Sequence, residues 1–270
     1  MIYRTFLLLP GVDQKAERHL WRTGVEDWWD FLAAEDLPGM SSRRLSRLQE
    51  ELRTFFAFYD DLFFLASRLE RKHHWRLFKP FGEKALFLDI ETDGLRKDQS
   101  QVTVLGVHDG QRYRAFVAGK DLKEGLEFIA SRPFWVTFGG SFFDWPFLRT
   151  KFPWLPEPVV HLDLCLLLRR LGLKGGLKRI EKQLGLSRPE EVDGLDGYEA
   201  VRLWRLYQRG DEKALSKLIL YNQKDVENLL FLASFAYQGL WNLALTGERP
   251  ALTVSSEAWD RRGDHAAEQL

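Results

Sequence analysis

The chain has a single cysteine, Cys165, and only two methionines in 270 residues. One thiol cannot close an internal disulfide, which excludes a disulfide-stapled scaffold and suits a reducing compartment. Cys165 sits in an apolar run after a predicted strand and is expected to be a small buried hydrophobe. Asparagine is also scarce; with abundant Arg and Glu this leans toward a heat-adapted host. Neither sign of charge is in excess, since 39 Lys and Arg balance 39 Asp and Glu. That excludes a broad polycationic surface that coats nucleic acid, but not an enzyme that grips a few terminal phosphates. An export signal is missing too: Phe6-Leu7-Leu8-Leu9 is too short and Pro10-Gly11 closes it. The expected compartment is the cytoplasm. The most apolar stretch, Leu229 to Leu245, contains Ser234, Gln238 and Asn242, and is expected to be a core helix rather than a membrane span.

What the chain does have is aromatic bulk, with ten Trp and twenty Phe, and three short acidic motifs in apolar settings. The first is Asp89-Ile90-Glu91, the second Phe143-Asp144-Trp145-Pro146, the third Tyr221-Asn222-Gln223-Lys224-Asp225. A buried carboxylate is unfavourable by several kcal/mol unless a positive group pairs with it. No Lys or Arg lies within the first two motifs. The simplest partner is a divalent cation, and hard oxygen ligands point to magnesium or manganese.

Leu86 to Thr92 is short, apolar and rich in strand formers, so it is predicted to be a strand. Alternation then puts Asp89 and Glu91 on one face, with Leu88 and Ile90 on the other. Phe134 to Phe138 is predicted as another strand ending at Gly139-Gly140, with a helix starting at about Asp144, where the macrodipole favours an anion. Tyr221 and Asp225 share a face at the head of a long apolar helix. Strands and helices alternating in this way bring carboxylates from separate segments to one crevice.

With these motifs in this order, the sequence resembles the ribonuclease H-like 3′–5′ exonucleases of the DEDD type. Within them it is similar to the subclass with a tyrosine before the last aspartate, which includes the proofreading domains of family B DNA polymerases. It is also similar to a stand-alone bacterial branch of the superfamily. That pattern runs through Val136-Thr137-Phe138 to Phe143-Asp144, then His161-Leu162-Asp163-Leu164, Leu177-Lys178-Arg179-Ile180-Glu181 and Leu184-Gly185-Leu186 to Tyr221-Asn222 and Asp225, covering about residues 84 to 240. Two positions depart from the branch: Gly139 stands where Asn is usual, and Tyr221 where His is common.

The resemblance implies two Mg2+ or Mn2+ ions. It makes Asp89 their bridging ligand, Glu91 and Asp225 ligands of the first, and Asp144 a supporter of the second. Tyr221 would position the attacking water. Thr92 and Leu95 correspond to a substrate-binding segment, in which Leu95 either wedges against the terminal base or packs on the core. The partner implied is nucleic acid, DNA favoured over RNA, without a membrane.

Other features carry two readings each. The loop Gly172 to Gly176 offers Lys174, with Lys178 just beyond and Arg169 and Arg170 nearby, either to substrate phosphates or to solvent at a turn. His161 and Asp163 fall on one face of a predicted strand Val159 to Leu164, as supporters of the site or as a structural pair. Leu9 to Leu20 is similar to a helix-hairpin-helix motif that binds DNA backbone, but Asp13 replaces the second glycine and its charge would repel phosphate. Trp28 and Trp29 either stack bases or pack beside this hairpin.

The expected architecture is therefore an α/β, ribonuclease H-like mixed sheet flanked by helices over 80–245. Two antiparallel strands, about 102–108 and 112–118, follow the Asp89 strand. A small all-helical domain spans 1–79 and a tail 246–270. No strand is expected between Gln14 and Lys79, and the stripe Leu45, Leu48, Leu52, Phe55, Phe56, Tyr59 is expected to be core. The expected activity is metal-dependent 3′–5′ exonucleolysis. An inactive nucleic-acid-binding module of the same fold and an RNA–DNA hybrid endonuclease are the alternatives.

Overall fold

The computed structural model describes residues 2–249, so all but the start of the 246–270 segment lies outside the described residues. The chain divides into two compact units, one holding residues up to Gly82 with Tyr237–Arg249, the other holding Glu83–Ala236.

The first unit is helical, with α1 (Gln14–Arg22), α2 (Trp28–Ala33), α3 (Ser42–Phe55), α4 (Leu62–Arg68) and α5 (Phe78–Phe81). The predicted absence of strands holds among the described residues, apart from one isolated bridge, Leu37 to Met40. Leu45, Leu48, Leu52 and Phe55 are buried as the stripe requires, whereas α3 ends at Phe55 and leaves Tyr59 exposed in the following turn. Asp13 caps α1: its carboxylate accepts from Ala16 N at 2.8 Å. The neighbouring Gly11 carbonyl accepts from Arg44 Nη2. Trp28 is fully buried and its indole donates to Thr5 O at 3.0 Å, while Trp29 is half exposed against Tyr3. A bidentate pair, Arg76 to Glu17 at 2.7 and 2.9 Å, ties α1 to the 3-10 segment Arg71–Leu77. Both side chains are buried, and burial still pushes the Glu17 carboxyl up against the pull of Arg76, as desolvation of a buried pair does.

The second unit is built on a five-stranded sheet, β1 (Ala85–Thr92), β2 (Val102–His108), β3 (Tyr113–Val117), β4 (Phe134–Thr137) and β5 (Val160–Asp163), in the order β3-β2-β1-β4-β5. β1 runs antiparallel to β2 and parallel to β4, giving a mixed sheet. The helices are α6 (Leu122–Ala130), α7 (Asp144–Lys151), α8 (Leu164–Arg170), α9 (Leu177–Gln183), α10 (Gly197–Tyr207) and α11 (Glu212–Thr246). Alternation along β1 works as predicted. Leu86, Leu88 and Ile90 enter a core with Trp135, Phe147 and Leu148, on the face covered by α6 and α7. On the opposite face, Val104, Val117, Leu218 and Tyr221 form a second core with α10 and α11. The strand expected over Val159 to Leu164 is shorter, because Asp163 caps α8 by accepting from Cys165 N, and Cys165 is half-buried rather than buried.

α11 begins at Glu212, so Tyr221 and Asp225 lie inside the helix rather than at its head. Asp211 supplies the start signal, accepting from Lys213 N at 3.0 Å. The helix is long and apolar enough to cross a membrane by length and composition. Its Leu229, Leu232, Ala233 and Ala236 are buried in the protein.

Candidate metal centre

β1 brings Asp89 and Glu91 to the face covered by α11, and α11 brings Asp225 to the same point. Their carboxylate oxygens lie within 4.8 Å of one another. Asn222, one helix position after Tyr221 and fully buried, holds the two strand acids. Its Nδ2 donates to Asp89 Oδ2 at 2.9 Å and to Glu91 Oε1 at 3.3 Å. Its Oδ1 accepts from the Tyr113 hydroxyl at 2.9 Å.

Asp144 arrives from the other side of β1. The pairing of β1 with β4 ends at Phe87 and Val136. Beyond it, Ile90 N donates to Asp144 Oδ1 at 3.1 Å, so the first residue of α7 completes the edge of the strand. Asp144 lies close enough to raise the Asp89 carboxyl but outside the three-acid group. The loop that delivers it is organised by Asp163, whose carboxylate accepts from Gly139 N at 2.8 Å and Ser141 N at 3.0 Å. His161 lies against Thr137, ring nitrogen to hydroxyl at 2.9 Å. Gly139 has φ +75° with open space around its Cβ position. In that left-handed region Gly and Asn are the residues best tolerated, which accounts for both the residue found here and the one usual in the bacterial branch.

Burial raises all four carboxyls. Asp89 is pushed well up by desolvation and then by Asp144, Glu91 and Asp225. Glu91 is raised well up by burial and by Asp225, with the Asn222 hydrogen bond opposing. Asp144 is raised to about 7, again chiefly by burial. Asp225 is raised by burial against the pull of Arg188. Such a group cannot all ionise without added positive charge. An all-oxygen donor set in this state fits a hard divalent cation.

The sequence motifs contain one cation partner fewer than the fold supplies. Arg188, between α9 and α10, donates from Nη2 to Asp225 Oδ1 and holds both oxygens of Glu181 through Nε and Nη2, at 2.7 and 2.6 Å. Glu181, which lies in the Leu177 to Glu181 motif, also accepts from Asn228 Nδ2 at 2.8 Å. From the sequence, Arg188 is not singled out, and Asn222 enters only within the Tyr221-Asn222 pattern, with no role. The adjoining Leu184-Gly185-Leu186 pattern was the available signal for the first, and Tyr221-Asn222 for the second.

Tyr221 is buried in the core beside the acids, and burial with the charges of Asp225, Glu91 and Asp89 pushes its phenol far up. The Lys178 ammonium lies 4.5 Å from the centre of its ring. Lys178 also lines a cleft with Arg179, Lys182 and Gln183. Lys174 is exposed on the preceding loop. Thr92 is buried, its hydroxyl donating to Gly94 O at 2.8 Å. Leu95 is 82% exposed, so it does not pack on the core.

Comparison with known proteins agrees with this architecture. The family model described as the RNase_H superfamily matches residues 86–237, more than half of the chain. The chain belongs to the RNase H superfamily. The solved structures similar to it include two at 20% identity. One is the family B DNA polymerase from the hyperthermophilic archaeon Pyrobaculum calidifontis, at 20% identity and TM-score 0.48, over 60% of this chain and 25% of the polymerase. The chain thus spans about a quarter of that polymerase's length. The other is Brucella melitensis NrnC, at 20% identity and TM-score 0.43, over 61% of this chain and 77% of NrnC. No curated protein matches the sequence.

Proposed function

We propose that the chain is a 3′–5′ exonuclease that hydrolyses terminal phosphodiester bonds of nucleic acid, DNA in preference to RNA, with two Mg2+ or Mn2+ ions. The observation that carries this reading is the convergence of Asp89, Glu91 and Asp225 from two elements, with Asp144 adjoining from a third. Asp89, Glu91 and Asp225 would hold one ion, and Asp89 with Asp144 the second. When bound, the ions supply Lewis acidity to the attacking and leaving oxygens of an in-line displacement.

The remaining roles belong to the chain itself. The Tyr221 phenol, held protonated by burial and by its acidic neighbours, serves as a hydrogen-bonding group that orients the attacking water; it is not the base that deprotonates it. Asn222 keeps the two strand carboxylates in register. Thr92 shapes the turn that presents Leu95, whose exposure suits contact with a terminal base. Lys178 and Lys174 offer positive charge to substrate phosphates. The 3′–5′ polarity follows the resemblance of the Tyr221–Asp225 motif to the tyrosine subclass.

Digestion of 5′-labelled linear DNA and RNA beside circular DNA and a circular RNA–DNA hybrid, in Mn2+, tests this. Stepwise shortening from the 3′ end with the circles intact is the expected result. Cleavage of the circles would replace the proposal with the hybrid endonuclease, and binding without cleavage would replace it with an inactive module.

A further inference from the structure

A divalent-cation site usually gathers its carboxylates and leaves protein cations outside, because a fixed positive charge opposes the ion. Here one is built in. The Arg188 side chain is 3% exposed and sits on Asp225, one of the three acids whose oxygens converge. Its fork is fastened to both oxygens of Glu181, itself 2% exposed, and Glu181 is further held by Asn228. A guanidinium keeps its charge, and this one is fixed by two hydrogen bonds to one carboxylate. Its Nη1 is also buried with no hydrogen-bond partner, so the side chain is not fully used by the structural pair.

We infer that Arg188 is a built-in counter-ion of the acidic cluster: it holds Asp225 in place before a divalent cation binds and sets how weakly the cluster takes that cation. The inference rests on the divalent-ion reading above. Four crowded carboxylates then need less external charge to persist together, and the ion that binds meets the repulsion of a permanent neighbour. A site of this kind fills only where the free cation is plentiful and releases it readily.

The test is calorimetric titration with Mn2+ alone, on the full chain, without substrate. Arg188→Gln by itself strands Glu181 as an unpaired buried charge and is liable to unfold the protein. The informative pair is therefore Glu181→Gln against the double variant Glu181→Gln/Arg188→Gln, which differ only at position 188, where the second loses the guanidinium charge and its hydrogen bond to Asp225. The double variant should bind Mn2+ about tenfold more tightly than Glu181→Gln. Its melting temperature without metal should be lower, and the rise on adding Mn2+ larger. Equal or weaker Mn2+ binding in the double variant would overturn the inference while leaving the metal site standing. A wild-type protein that takes up no Mn2+ would remove the divalent-ion reading and this inference together.

Discussion

A Cβ on Gly106 would lie 1.6 Å from Asn222 Oδ1. Gly106 pairs with Asp89 across β1 and β2, so the missing side chain is what admits the asparagine that holds Asp89 and Glu91. Gly106→Ala should push Asn222 off both acids. A loss of about 1–3 kcal/mol is expected from forcing an atom into a packed core, and nuclease activity should fall with it. Denaturant unfolding and turnover on a linear substrate check this; a variant as stable and as fast as wild type would show that α11 shifts freely.

Asp89→Asn keeps shape and removes a charge that burial and three acidic neighbours oppose. Turnover should fall by roughly three orders of magnitude or more, through loss of the shared ligand. The melting temperature in EDTA should hold or rise, because repulsion is relieved. Wild-type turnover in this variant would dissolve the site assignment.

Metal removal should abolish hydrolysis, and Mn2+ or Mg2+ should raise the melting temperature in a concentration-dependent way, as any ligand of the folded state does. Undiminished activity in excess EDTA contradicts the metal reading outright.

Tyr221→Phe deletes the hydroxyl and keeps the ring that Lys178 overlies. A fall of about one to three orders of magnitude in rate, with melting temperature and substrate affinity little changed, is the expected outcome for a water-orienting group. A rate equal to wild type assigns Tyr221 to packing alone.

His74 is buried in the first unit, with Nε2 3.1 Å from the carbonyls of Ala66 and Leu69, and burial lowers its pKa. The carbonyls accept, so Nε2 carries the proton of a neutral ring. Because the folded pKa is depressed, the unfolded chain binds the proton more readily. The contribution of His74 to stability is therefore present above about pH 6.5, the ordinary imidazole value, and is lost as pH falls toward the folded pKa. The stability difference between wild type and His74→Gln should shrink on acidification from neutral pH, measured by denaturant unfolding at several pH values. A difference independent of pH would mean that the ring titrates alike in both states.

The acids were legible because each sits in a local pattern. Period-two alternation puts Asp89 and Glu91 together, and the four-residue step does the same for Tyr221 and Asp225. Strand β2 emerged at the expected bounds, because Val102 to His108 is a dense apolar run. Partners supplied by distant segments were not legible. Nothing local to Arg188 shows that it will meet Asp225, 37 positions on, and nothing near Gly106 shows that Asn222 needs its space. The start of α11 was misjudged because Glu212 to Leu220 mixes charges with apolar residues, so the strongest hydrophobic signal comes later. Tyr59 was misjudged because the helical spacing continues past the residue where the helix stops.

The Asn222 amide bears on how the protein ages. Its nitrogen donates to Asp89 and Glu91, and its oxygen accepts from Tyr113. Spontaneous hydrolysis of that amide to a carboxylate changes almost nothing in shape. It would nevertheless turn the donor that reconciles two acids into a further negative charge between them. Asparagine loses its amide when the backbone nitrogen that follows can bend back onto the side chain, and a helix interior forbids that movement. Placing Asn222 well inside α11, fully buried, thus protects the cluster from slow chemical decay as well as holding it in register.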